Sequence, residues 1–417
     1  MVFLLMKSNH GTIRMTDFVK ADRLAKVKVS EIVVMSEAAR QRRAEGHDVI
    51  NLGIGEPDFD TPDHANDAAI AAINHHDTHY PPIAGKPELR EAIAALYDGR
   101  GGTMRRPEHV LVSSGSKYTL LNAMLASVNP GDEVIMLAPF WTSYADIVRL
   151  CGGIPVIIPN DGARQFRPDL DQIAAVMTPR TRWIMINSPN NPSGAVLSAD
   201  DLRGIGDLIK AHPQAMLLSD EIYEHIVYSE KFISVADALP DIADRILIVS
   251  GVSKSYAMTG WRLGYGIGSK ELIAAMTAVQ AQGTSGTTTI SQAAALAAIT
   301  GDQSILATQR DIFRQRRDLV CQHIKAMNGL TTEIPEGAFY VFASWQNCQG
   351  WKDVHGNILQ SDMDFCQFIL NEANVVVIPG SSFSMNGYFR ISYASSTDEL
   401  EEAMKRIAHA MTSLKPA

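Results

Sequence analysis

The sequence predicts an α/β protein, a mostly parallel seven-stranded sheet covered by helices and joined to a smaller α+β domain. Three observations carry the prediction. Short apolar runs recur through the middle of the chain and alternate with helical patterns, the βαβ signature of a sheet buried on both faces. The C-terminal part changes character, to long helical stretches interrupted by short strands. The 417 residues exceed the usual size of one domain.

In chain order, the residues before about 15 read as an extension. Residues 2–6 are too short for a signal-peptide core or a membrane span, and Met6 and Met15 offer alternative starts. Residues 1–60 are expected to pack with the small domain, 61–300 to form the large domain, and 301–417 to form the small one. The strands expected to be buried on both faces are 110–113, 133–137, 155–158, 183–187, 216–220, 246–250 and 264–267, with helices over 118–127, 141–150 and 199–211. A long helical stretch follows over 290–328, then short strands at 331–334, 338–343, 374–378 and 388–393, and a final amphipathic helix from about Asp398. The stretch 344–361, with Trp345, Gly350, Trp351 and Gly356, reads as a surface loop or insertion.

Composition narrows the function. Hydrophobic residues make up 46% and charged residues 20%, as in ordinary globular enzymes. A net charge of -9 disfavours a nucleic-acid partner, which wants a basic face. The densest basic stretch, Arg310, Arg314, Arg316 and Arg317, reads as the solvated face of an amphipathic helix. Cys151, Cys321, Cys348 and Cys366 show no metal-ligand spacing and read as reduced thiols of a cytoplasmic protein. No stretch approaches the ~20 apolar residues of a membrane helix.

Three segments carry chemistry, each at the end of an expected strand. Segment 250–265, SGVSKSYAMTGWRLGY, sets Lys254 among small residues with Arg262 eight positions on. Desolvation there favours the neutral amine, which can form an imine with an aldehyde, and the arginine can grip a phosphate. Segment 188–194, SPNNPSG, is a turn cluster at a strand C-terminus, where ligands bind in open α/β sheets. Segment 217–223, LLSDEIY, ends its strand at Asp220, which alone would read as a helix N-cap. A further segment, 112–117, VSSGSK, leads from a strand into a helix N-terminus, a place where backbone N–H groups bind anions.

Together these segments closely resemble the class I, fold-type I aminotransferases, especially the bacterial aspartate aminotransferase branch, from about Val29 onward. The resemblance implies pyridoxal 5′-phosphate as cofactor. Lys254 would carry it as an imine and move the proton between Cα and C4′. Asp220 would pair with the pyridine nitrogen. Tyr223 and Asn191 would bond the ring's phenolate oxygen, and Ile222 and Trp141 would cover the ring's two faces. Gly115, Ser116 and Lys117 match the phosphate loop, with Arg262 as second clamp. Tyr80, in YPPIAGKPELR, matches the tyrosine that reaches the phosphate of the neighbouring subunit, which implies a homodimer. Arg390, in YFRISY, matches the α-carboxylate arginine, and Gly55, in GIGEPDF, the glycine whose backbone lies beside the substrate. Trp141 and Asn191 also face the substrate.

Lys117 matches the lysine that reads a second carboxylate, which favours aspartate as donor and a 2-oxo acid such as 2-oxoglutarate as acceptor. One segment departs from the branch. Where the branch reads Lys-Pro-Ser-x-Thr, this chain has Lys28-Val-Ser30-Glu31-Ile32. Ile32 favours an apolar or aromatic side chain, and Glu31 would repel a second carboxylate or pair with a basic substrate. The alternatives are therefore an aromatic or prephenate-type aminotransferase, or a pyridoxal-phosphate-dependent lyase on the same fold. A transcription regulator of this fold would need an N-terminal helix-turn-helix domain, for which the residues before Val29 are too few.

Overall fold

A computed structural model describes residues 19–27, 31–160, 162–228 and 232–416. The extension, its alternative starts and residues 28–30 of the departing segment lie outside the described residues. The described strands, in chain order, are β1 (Ile50–Asn51), β2 (Val110–Ser113), β3 (Glu133–Leu137), β4 (Ile154–Ile158), β5 (Thr181–Asn187), β6 (Met216–Asp220), β7 (Ile246–Gly251), β8 (Gly264–Ile267), β9 (Thr331–Thr332), β10 (Tyr340–Ser344), β11 (Val375–Val376), β12 (Ile378–Pro379) and β13 (Tyr388–Ser392).

Seven of them form one sheet in the order β2-β8-β7-β6-β5-β3-β4. Its neighbours are parallel except β8, which runs antiparallel to both β2 and β7. The chain winds outward from β3 to β4 and crosses back to β5, so the order reverses between β3 and β5. The carboxyl ends of strands at such a point form a natural ligand crevice. Ile184, Leu217, Leu218 and residues 247–249 have no exposed surface, because helices cover both faces. β4 corrects the expectation: Ile154 is 47% exposed and Ile157 is 37% exposed, since this edge strand is incompletely covered.

The helix Ala199–Ala211 starts at a capping box, in which Ser198 accepts from the backbone of Asp201 and Asp201 reaches back to the Ser198 N–H. The expected helix over 290–328 is two, Thr289–Thr300 and Ser304–Ala326. Gly301 closes the first, and the Asp302 carboxylate starts the second by accepting from the Ser304 N–H and hydroxyl. The solvated basic face is also corrected. Arg316 is buried and binds Asp58 through two hydrogen bonds of 2.6 and 2.8 Å, between Phe59 and Phe313.

The smaller unit holds the antiparallel sheet β12-β13-β10-β9 and the parallel pair β1-β11, which ties the N-terminal segment to it. Its core draws on the helices Glu31–Ala44, Asp362–Ala373 and Thr397–Met411. The strand expected at 374–378 splits because its first half pairs with β1 and its second half with β13. Pairing at 331–334 stops after Thr332. Within the expected loop 344–361, Trp345 is core: it stacks on Phe365 and donates to Asp362 at 2.8 Å. No helix of the described residues is long and apolar enough to cross a membrane.

Candidate active site

A cavity of about 460 Å³ opens at the carboxyl ends of β5, β6 and β7. β6 delivers Asp220 to its floor. The buried carboxylate accepts from the Tyr144 hydroxyl at 2.7 Å and from the Ile222 N–H at 3.2 Å. Burial raises the carboxyl to about 6, against the lowering effect of those two bonds and of Lys254. Asp220 thus caps a turn and starts no helix.

β5 ends at Asn187, whose amide donates to the Asp220 carbonyl and accepts from the Asn191 N–H. This pins the turn 188–194 so that the Asn191 Oδ1 accepts from Arg390 at 3.0 Å. Arg390, on β13, also donates to the Gly53 carbonyl at 2.6 Å. Its guanidinium lies 4.6 Å from the Tyr340 ring centre and 5.0 Å from that of Phe383. The buried Arg390 Nε has no partner among the described residues, so a donor is held ready for an acceptor. The Tyr223 hydroxyl lies 2.9 Å from that of Tyr340.

β7 leads into Lys254, whose Nζ donates to the Gly55 carbonyl at 2.5 Å. Burial lowers the ammonium to about 8; Glu56 and Asp220 oppose this, while Arg390 and Arg262 add to it. A neutral amine is therefore accessible near physiological pH.

The opposite end of the cavity is cationic. The helix Ser116–Ser127 starts after Gly115, which has φ 93°, and a side chain there would stand 2.6 Å from the Arg262 guanidinium. A Cβ on Gly264 would come within 2.2 Å of the Ser116 N, so glycine lets this helix start approach β8. Arg262 itself has φ 53°, an uncommon conformation for a residue with a side chain. It donates to the Thr259 carbonyl. The Lys117 ammonium lies 4.5 Å from the Trp141 ring centre, and burial and the Arg262 charge both lower it.

The structure therefore gathers Gly55, Ser116, Lys117, Trp141, Asn191, Asp220, Ile222, Tyr223, Lys254, Arg262 and Arg390 around one cavity, with Gly115 just behind the wall. Tyr80 is not among them: it is 94% exposed on the surface of the single chain. Glu31 is not free to meet a substrate, because its carboxylate accepts from the Ser381 and Ser382 hydroxyls at 2.8 and 2.9 Å. Ile32 does line the cavity. Sequence reasoning missed Tyr144, Asn187, Tyr340, Ser253 and Thr259. Asn187 ends a predicted strand and Tyr144 lies one helical turn after Trp141, so both carried a positional signal. Tyr340 carried none.

This donor set fits the cofactor that the resemblance implies, an aromatic aldehyde with a phosphate at one end and a basic ring nitrogen at the other. The cations and helix start suit the phosphate, the Lys254 amine the aldehyde, and the buried Asp220 a protonated ring nitrogen. Among the described residues, no group of three or more His, Cys, Asp or Glu side chains could hold a metal ion.

A family model described as aminotransferase class I and II matches residues 47–407. The chain belongs to that family. The aminotransferase is 46% identical to the aspartate aminotransferase of Rhizobium meliloti (strain 1021), over 96% of this chain and 98% of that one. It is 43% identical to the aspartate/prephenate aminotransferase of Cereibacter sphaeroides, over 93% and 97%. Among solved structures, the Rhizobium meliloti aspartate aminotransferase superposes with a TM-score of 0.93 at 46% identity, covering 96% of this chain and all of that one. The Thermus thermophilus aspartate aminotransferase with maleate gives 0.87 at 37% identity, over 94% and 100%. The fold of this aminotransferase is thus that of its solved relatives, with the mostly parallel seven-stranded sheet at its centre.

Proposed function

We propose that this aminotransferase uses pyridoxal 5′-phosphate to move the amino group of an L-amino acid, aspartate by preference, to a 2-oxo acid such as 2-oxoglutarate in a ping-pong cycle. The observation that carries the reading is one cavity holding a lysine lowered to about 8, a buried aspartate and an arginine-lysine anion cradle. Bound there, the cofactor supplies an aldehyde and an electron sink for the Cα carbanion. The chain's own residues do the rest. Lys254 would hold the cofactor and, once freed, would be the base and acid that moves the substrate's Cα proton. Asp220 keeps the ring nitrogen protonated. Tyr223 and Asn191 bond the ring oxygen, and Ile222 and Trp141 enclose the ring. Gly115, Ser116 and Arg262 hold the phosphate, and Arg390 grips the α-carboxylate beside Gly55.

The relatives' names support aspartate, and Lys117 offers a cation for its second carboxylate. A second reading, an aromatic or prephenate-type donor, is favoured by Ile32 at the cavity wall and by relatives named aspartate/prephenate aminotransferase. A homodimer is supported by the exposure of Tyr80, Ile70 and Ile73, which a neighbouring subunit would cover. Four free cysteines support a reducing, cytoplasmic setting. The division at residues 60 and 300 is supported by a core that joins residues 35–52 to 313–414, with only Ile222, Tyr223, Ile226 and Tyr228 from the middle of the chain among its described buried residues.

The deciding experiment records the absorption spectrum of the pyridoxal-phosphate-loaded protein. The imine band should vanish with aspartate alone and return with oxaloacetate. Exchange only with aromatic amino acids would move the donor to the second reading, and no imine band would overturn the cofactor reading.

A further inference from the structure

We propose that Tyr340 is a positioning residue shared by the two halves of the site: its hydroxyl supports the Tyr223 phenol and its ring carries the Arg390 guanidinium. The proposal rests on the reading that Tyr223 faces the cofactor ring. Tyr340 opens β10 and is 1% exposed. It pairs across the sheet with Ser392, so Arg390, two residues along β13, is its diagonal neighbour on the same face. That register sets the guanidinium 4.6 Å from the Tyr340 ring centre and lets Phe383 flank it at 5.0 Å. The hydroxyl meets Tyr223 at 2.9 Å. A Cβ on Gly55 would stand 2.5 Å from it, so the loop whose carbonyl accepts from Lys254 also rests against this oxygen.

The direction of the hydrogen bond follows from proton counting. A phenol has one proton. When Tyr223 donates that proton to an acceptor in the cavity, its lone pairs are left to accept, and Tyr340 becomes the donor. The order Tyr340, Tyr223, ligand oxygen is a chain in which each bond polarises the next. The charged and titratable groups that face this pair are Arg390 and Asp220, with Tyr144 bonded to Asp220 and Lys254 held on the Gly55 carbonyl. A stronger bond to the ring oxygen favours its anionic form and hence the unprotonated imine. Removing the Tyr340 hydroxyl therefore raises the pH at which the imine titrates. The ring acts separately, holding Arg390 in the plane that meets a carboxylate.

Two variants of the full chain, loaded with pyridoxal phosphate, split these roles. Tyr340→Phe keeps the ring and loses the hydroxyl. The pH midpoint of the imine band should rise by about 0.5 units, while the spectrally measured Kd for maleate stays within about twofold. Tyr340→Leu loses both and should add a rise of about tenfold in that Kd and in KM, with a smaller change in kcat. Tyr340→Phe preserves the core volume, so its spectrum decides the hydroxyl's role even where the leucine variant folds poorly. A wild-type band that titrates, with the same midpoint in Tyr340→Phe, would overturn the inference and leave the cofactor reading standing. A wild-type protein without the band would overturn both.

Discussion

On the large-sheet side of the cavity, Asp220, Asn191 and Lys254 each stand within four residues of the end of β6, β5 or β7, and backbone pairing on both sides of those strands fixes where each side chain emerges. On the opposite side, Gly53, Gly55, Ile32, Tyr340 and Arg390 come from four separated stretches of chain, brought together by the β10-β13 pairing and by side-chain bonds such as Arg316 to Asp58 and Arg390 to Asn191. On the first wall each residue stands at or just after the end of one strand, so one segment of sequence determines one position. The second is set by contacts between segments far apart in sequence. Lys254 and Asp220 line the cavity from the first wall, and Arg390 and Gly55 line it from the second.

The largest test of this contrast is Lys254→Ala, expected to lower turnover by about 10⁴-fold or more, since both the proposed cofactor anchor and the proposed proton carrier go. The lysine also makes a pH prediction. Its neutral form attacks an aldehyde, and burial places half-ionisation at about 8 instead of 10.5. The rate at which cofactor-free protein combines with pyridoxal phosphate should rise about tenfold per pH unit below that point and level off above it. A stopped-flow profile that climbs on to 10.5 would show that the wall is open to water. Next in size is Asp220→Asn, expected to cost about 10² to 10³-fold in kcat, because a neutral amide cannot hold the ring nitrogen's proton. Tyr144→Phe should cost only about tenfold, one hydrogen bond to a charged group. Equal losses would mean that Asp220 depends on Tyr144 for its ionisation.

The same contrast explains what was legible in the sequence. Four of the seven large-sheet strands have the expected bounds, and the SPNNPSG, SDEIY and SKSYAMTGWR segments converge as their strand ends predict. A strand's C-terminal end is a local property, readable from an apolar run and the turn that follows. Tyr340 was not legible, because its partners Tyr223 and Arg390 are 117 and 50 positions away, and only the β10-β13 register brings them together. Arg316 was misread for the same reason. Helical periodicity places it among solvated arginines, but the GIGEPDF loop crosses over that turn and buries it against Asp58. Glu31 reads from the sequence as a charge facing the substrate, because its bonds to Ser381 and Ser382 span 350 residues or more.

Two smaller predictions probe the side-chain-held wall. Asp58→Asn should destabilise the protein by roughly 1–2 kcal/mol in urea unfolding. That is more than an exposed ion pair and less than a fully buried one, because the Arg316 side chain is 7% exposed but that of Asp58 is 29% exposed. An unchanged midpoint would mean that the pair contributes nothing and the arginine behaves as a surface group. Glu31→Ala has the smallest expected effect and the clearest sign. As a tether, the carboxylate holds the start of the helix that carries Ile32 and Ser36 against the Ser381–Ser382 turn. Its loss should loosen that edge and raise the KM for aspartate about threefold, with kcat little changed. As a repelling charge, its loss would lower the same KM. The direction of the change, read from initial rates at several aspartate concentrations, decides which force Glu31 exerts.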